Sequence, residues 1–216
     1  MSTKKLYLKL LKEAEEKANT DKSLLKLKGI SAFSTWRKKD EDQTYSFIIN
    51  SECKNKEDII RIASMAYAWM PTMLNIYADS NHDWKETIRL INNFKKNKLD
   101  ERELLIENLS KIINNSIVGT SKFLHIINPE LAPMIDSRVS RYWNLFFNND
   151  VSLKMPSDWN FNIKNHQKKI IKYIRYWDYL NEWKVNLQDV SIRDLEVLFY
   201  YLGEKNQQKT NSSLIN

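Results

Sequence analysis

Glycine is scarce in this chain, with three among 216 residues, and proline is little commoner at four. So few turn formers cannot serve the repeated tight reversals of a many-stranded β fold, and a mostly α-helical architecture is expected. Cysteine occurs once, at Cys53, which excludes an intramolecular disulfide and any cysteine-based metal site. A lone thiol fits a reducing, cytoplasmic setting, nucleoid-associated if the source is prokaryotic. No apolar run approaches the roughly 20 residues of a membrane span. The stretch Ser2-Thr3-Lys4-Lys5-Leu6-Tyr7-Leu8 lacks the apolar core of a secretion signal. The three histidines, His82, His125 and His166, have no metal-ligand spacing, so no metal and no cofactor are expected. There is no P-loop, no Rossmann glycine set, no Ser-His-Asp order and no internal repeat.

What is present is core-forming and basic. Hydrophobic residues make up 42% of the chain and seven are tryptophans, enough to build a core and to argue against disorder. The net charge of +7 permits a polyanionic partner. Lysine, asparagine and isoleucine recur along the whole length, however, and codon usage in an AT-rich genome accounts for that equally well. The pattern reads as one helical domain over 1–203, with 1–54 as a candidate N-terminal lobe and 204–216 as a flexible polar tail. Apolar periodicity places helices near 4–18, 56–77 (kinked or split at Pro71), 83–96, 100–115, 119–127, 137–148, 161–184 and 191–203, with a helix or a turn-rich segment over 24–36. Thr44-Tyr-Ser-Phe-Ile-Ile49 is the one short β-like run, near 44–49, a strand or an extended connector. Asp100–Glu103 and Ser191–Asp194 resemble capping boxes, and Gly203 suits the residue just past a helix end.

The chemistry-bearing stretch is Ile117-Val-Gly-Thr-Ser-Lys122-Phe-Leu-His125, followed by Asn128-Pro-Glu-Leu-Ala-Pro-Met-Ile-Asp136-Ser-Arg-Val-Ser-Arg141-Tyr-Trp143. Gly119 reads as a turn, Lys122 as an early residue of a short helix, and Pro129 and Pro133 as punctuation of a loop. Asp136 opens the next helix. This arrangement resembles the helix-hairpin-helix DNA glycosylase superfamily, in which a glycine hairpin, often with a lysine, precedes an apolar residue, a catalytic aspartate and a helix start. Ile135-Asp136-Ser137-Arg138-Val139-Ser140-Arg141 is similar to the second half of that pattern. The hairpin departs from it, with Gly119-Thr120-Ser121 in place of two glycines and Lys122 only fourteen residues before Asp136.

The resemblance implies a helical glycosylase-like fold with a helix-hairpin-helix element, acting on duplex DNA with a flipped nucleotide. It implies hydrolysis of the N-glycosidic bond of a damaged or modified base, with Asp136 stabilising positive charge at the sugar. Lys122 would be the nucleophile of a lyase, but an ordinary helix lysine is the simpler reading, so a monofunctional enzyme is favoured. Gly119, Thr120 and Ser121 would offer backbone amides to a DNA phosphate. Arg138 and Arg141, three apart, would reach phosphates from one helix face. Trp69, His125 and Tyr142 are candidates for a base pocket.

Each of these residues also has a purely structural reading. Asp136 would be an N-cap worth about 1 kcal/mol, and His125 a hydrogen-bonded core residue. The segment 164–183 would be either a basic aromatic groove or an amphipathic helix with its apolar stripe at 170, 171, 174, 177 and 180. Two other functions stay open: a non-catalytic helical binder of DNA or protein, and a glycosidase of free nucleosides or nucleotides. The sequence leaves the oligomeric state and the identity of the base undetermined.

Overall fold

The computed structural model describes residues 2–20, 48, 52–68, 72–77, 81–160, 164–187 and 190–212. Over these the fold is mostly helical. Helix α1 is Thr3–Thr20, α2 Lys56–Tyr67, α3 Trp84–Lys95 and α4 Arg102–Ile112. These are followed by α5 Ile117–Ile127, α6 Ser137–Phe146, α7 His166–Asn186 and α8 Ile192–Ser212, with one 3-10 turn at Val151–Leu153. Among the described residues no sheet forms; two isolated antiparallel bridges, Ile76 to Ile113 and Ser116 to Asn160, tie loops to helix ends. No described helix is long and apolar enough to cross a membrane. Trp69, Pro71 and the 24–36 segment lie outside the described residues, and of 44–49 only Ile48 is described, buried and helical.

Several of the helices start at a side-chain cap. Asn55 Oδ1 accepts the Asp58 amide at 2.9 Å and Asp83 Oδ1 accepts that of Glu86 at 3.0 Å, each satisfying a donor left over in the first helical turn. Ser191 and Asp194 form the expected reciprocal box, with Ser191 N to Asp194 Oδ2 at 2.8 Å and Asp194 N to Ser191 Oγ at 3.1 Å. The box at Asp100 does not form. Helix α4 starts at Arg102 without a side-chain cap, because the Glu101 carboxylate is taken by Arg89 at 2.6 and 2.7 Å.

The core is aromatic and gathers where α6, α7 and α8 meet. Trp143 is 1% exposed, with ring centroids of Phe147, Tyr176 and Phe199 at 4.5, 5.0 and 5.1 Å. Helix α7 buries Ile170, Tyr173, Tyr176, Trp177, Leu180 and Trp183. The expected stripe is therefore right at 170, 177 and 180 but rotated, since Ile171 faces solvent and two tyrosines take the interior. Those tyrosines can be buried because their hydroxyls find backbone carbonyls, as described below.

Three expectations about chain direction are corrected. The helix over 56–77 ends at Tyr67. Residues 73–77 instead make their backbone bonds elsewhere, Tyr77 N to Ile112 O at 2.8 Å and Asn114 N to Asn75 O at 2.9 Å. Gly203 does not end its helix, which runs on to Ser212 through the segment expected as a tail. Its missing side chain serves packing, since a Cβ there would lie 2.1 Å from the Arg138 carbonyl oxygen. Gly119 is not a turn residue either. The reversal between α4 and α5 is made by Asn114 and Asn115, at φ 52° and 46°, and Gly119 sits in the first turn of α5. Asparagine tolerates the left-handed region. Here Asn114 is also clamped through its side chain, accepting from Asn75 N at 2.7 Å and donating to Met73 O at 2.8 Å.

Candidate functional site

Between α5 and α6 the chain runs as an irregular, partly buried loop, Asn128 to Asp136, in which prolines 129 and 133 prevent helix formation. An irregular buried backbone must find partners for its polar groups. This loop finds them in side chains, carbonyl by carbonyl. Lys184 Nζ donates to Glu130 O at 2.9 Å and Asn181 Nδ2 to Leu131 O at 3.2 Å. His125 Nδ1 meets Ala132 O at 2.8 Å, so the proton of this imidazole is on Nδ1. Tyr173 Oη donates to Pro133 O at 2.7 Å and Tyr176 Oη to Met134 O at 3.2 Å. Among the amides, Met134 N donates to Glu196 Oε1, and Ile135 N to Ser121 Oγ at 3.1 Å. Glu196, 1% exposed, is paired with Arg193 at 3.1 Å.

The electrostatics follow from burial. His125 is held neutral, its pKa pushed down to about 3 by burial and by the neighbouring Arg193 charge. Burial, helped by the Glu196 charge, raises the Tyr173 and Tyr176 phenols well above their usual range, so both remain donors at neutral pH.

The loop delivers Asp136 to the start of α6. Its Oδ1 accepts the amides of Arg138 and Val139, both at 2.9 Å. Its backbone oxygen takes Ser140 Oγ at 2.8 Å. The other carboxylate oxygen, Oδ2, has no hydrogen-bond partner among the described residues, and the residue is half-buried. Asp136 is thus an N-cap that uses one carboxylate oxygen for the cap.

Helix α5 places the remaining candidates around it. At about 100° per residue, Lys122 falls about 60° from Gly119 on one side and about 100° from Ser121 on the other. The Ser121 flank holds the Asp136 loop; the Gly119 flank carries α2, with Tyr67 Oη where a glycine Cβ would be. Val118 and Lys122, both half-buried, form the strip between. Lys122 thus lies on the strip of α5 between the flank that meets α2 and the flank that meets the Asp136 loop.

The other expected site residues are placed inward. Thr120 and Ser121 are fully buried, their hydroxyls bonded to Ser116 O at 3.0 Å and Val118 O at 2.8 Å, and the Thr120 amide is spent on Ser116 O at 3.1 Å. The α5 amides that lack an acceptor among the described residues are those of Val118 and Gly119. Arg138 bonds Tyr200 Oη and lies 4.9 Å over its ring, and Arg141 donates to Gly203 O at 3.2 Å, so both arginines face α8. Tyr142 is buried against α1, its hydroxyl donating to Glu13, and its pKa is raised by burial and that carboxylate. His125 lies in the core beneath the loop rather than at a surface.

Sequence reasoning missed Tyr67, Glu196, Asn181 and the true role of Tyr173 and Tyr176. The tyrosines of α7 were visible as aromatics among lysines, but nothing local distinguishes a groove from a buried phenol with a distant carbonyl partner. The chain matches no protein-family model, no curated protein and no solved structure.

Proposed function

We propose that this protein is a monofunctional DNA N-glycosylase in which Asp136 is the catalytic carboxylate. The observation that carries the reading is the way Asp136 is held. One oxygen is fixed by two amides and the other is unengaged, on a loop whose carbonyls from Glu130 to Met134 are each tied to a side chain. A helix cap alone needs one well-placed side-chain oxygen. A group that must stabilise a transient charge needs a fixed position, because preorganisation removes the cost of reorientation at the moment of reaction.

In the proposed reaction the bond from C1′ to the base nitrogen breaks with its electron pair leaving on the base. Positive charge then develops on the sugar. Asp136 Oδ2 stabilises that charge and accepts a proton from the water that forms the new C1′–oxygen bond. The departing base is protonated from solvent. Lys122, on the adjacent strip, contributes positive charge toward the strand rather than a nucleophile. The test is release of free base from DNA carrying damaged or modified bases, with Asp136→Asn as the inactive comparison.

A second reading, a glycosidase of free nucleosides or nucleotides, is favoured by the inward commitment of Arg138 and Arg141. These arginines were the expected phosphate contacts of a duplex binder. Activity on mononucleotides with indifference to duplex DNA would establish that reading in place of the first.

A further inference from the structure

One face of α7 carries cations that no carboxylate answers. At about 100° per residue, Lys168, Lys172 and Arg175 fall within an arc of about 60°, away from the side that buries Tyr173, Tyr176 and Trp177. Lys168 and Arg175 are exposed and Lys172 is half-buried. On this helix no acid precedes Asp178, which is taken by Arg102 at 2.6 Å. Of the flanking acids, Asp158 is paired with Lys169 at 2.9 Å and Glu107 with Lys111 at 2.7 Å. Among the described residues Lys168, Lys172 and Arg175 have no ion-pair partner.

Two of these cations share one neutral acceptor. Lys172 Nζ donates to Ser152 O at 2.7 Å and Arg175 Nη1 to the same oxygen at 3.4 Å, so the charged heads are at most about 6 Å apart. Like charges at that spacing repel. Asp150 is close by, but its Oδ1 is engaged by the Ser152 amide at 2.9 Å and hydroxyl at 2.5 Å. Burial and the Arg175 charge lower the Lys172 pKa, and Asp150 offsets them only in part. Lys154, exposed just past the same 3-10 turn, adds a further cation. An anionic oxygen placed here would meet both heads and relieve their repulsion.

We propose that this face of α7 binds the phosphate backbone of duplex DNA, with Lys168, Lys172 and Arg175 as the contacts and Lys154 at their edge. From Lys168 to Arg175 the helix advances about 10 Å, the length of about three phosphates of one strand along a duplex. The aromatic side chains Tyr173, Tyr176 and Trp177 point inward and cannot stack on bases, so the contact is independent of sequence. An anionic membrane fits less well. A helix lying in a bilayer surface needs a free apolar face, whereas that of α7 is in the core and leaves Val151 and Ile171 as isolated exposed tips. The choice of DNA as the polyanion rests on the function proposed above. The face supplies the backbone contacts that Arg138 and Arg141, turned toward α8, do not.

The test is fluorescence anisotropy of a labelled duplex across a salt series, beside thermal melting. Lys168→Gln/Arg175→Gln removes two charges from the face. Lys85→Gln/Lys96→Gln removes the same charge from exposed positions on α3 and at its end. Lys168→Arg/Arg175→Lys keeps the charge and changes the side chains. The first variant should bind at least about tenfold more weakly at low salt, with a plot of log affinity against log salt shallower by about 1.8. The other two should stay close to the wild type in affinity and slope. All should melt within a few degrees of it, and duplexes of different sequence should behave alike.

No binding of the duplex by the wild type, or equal weakening of the two glutamine variants, would overturn the proposal. So would loss of binding in the charge-keeping variant, which would mean the side chains serve the fold. Binding to vesicles of anionic lipid without binding to the duplex would assign the face to a membrane instead. Failure of the enzyme reading is separable. Duplex binding that depends on this face, with no base released from any DNA, would sink the glycosylase and leave the face. Base release with binding unmoved by Lys168→Gln/Arg175→Gln would do the reverse.

Discussion

At the scale of single residues, the two described glycines are explained by what their neighbours need. Gly203 lets the backbone of α8 lie against that of α6, with the Arg138 carbonyl 2.1 Å from where a methyl would go. Backbone cannot move aside cheaply, so Gly203→Ala should destabilise by about 2 kcal/mol or more. Gly119→Ala meets the tip of one side chain and should cost less, because Tyr67 can be displaced. Urea denaturation of the two variants checks the order; a Gly119 variant more damaged than the Gly203 variant would contradict it. His125 makes a separate prediction. Its folded pKa of about 3 lies below the ordinary value near 6.5, so the unfolded chain binds more protons between those limits. Its contribution is complete above about pH 6.5 and is lost as pH falls toward 3, amounting to about 2 kcal/mol between pH 7 and 5. His125→Gln, which keeps a donor for the Ala132 carbonyl, should melt with a shallower pH dependence over that interval. His166, whose pKa burial also lowers, titrates in both proteins and does not disturb the comparison.

At the scale of elements, helices were legible where local chemistry determines them. The caps at Ser191 and Asp136 could be read from residue type, and the periodicity located α3 through α6 to within a few residues, while it began α7 five residues early and ended α8 nine residues short. Ser191→Ala should therefore lower stability by about 1 kcal/mol, seen as a drop of a few degrees in melting temperature. What was not legible depended on partners distant in sequence. The helix expected to open on an Asp100 box starts instead at Arg102, its N-cap Glu101 holding its carboxylate to Arg89, twelve residues away. The left-handed turn fell on two asparagines rather than on Gly119, whose neighbour Tyr67 comes from another helix. The candidate site divides in the same way. Asp136 and its helix could be found in the sequence. The buttress of Lys184, Asn181, His125, Tyr173, Tyr176 and Glu196 could not, since each bond joins positions brought together only by folding.

At the scale of the whole molecule, the central claim is that an aromatic helical core presents one carboxylate for chemistry on a glycosidic bond. Asparagine caps helices as well as aspartate does, so Asp136→Asn separates the two roles this residue holds. Its stability should stay within a few tenths of a kcal/mol of the wild type, whereas Asp136→Ala should lose about 1 kcal/mol. The most direct measurement incubates wild type and Asp136→Asn with a panel of unmodified, damaged and naturally modified DNAs, then counts abasic sites with an aldehyde-reactive probe. The account requires aldehydes from at least one DNA with the wild type and none with the equally folded variant. Equal abasic-site yields from the two proteins, or none from the wild type with any DNA, would contradict it and reduce Asp136 to a helix cap.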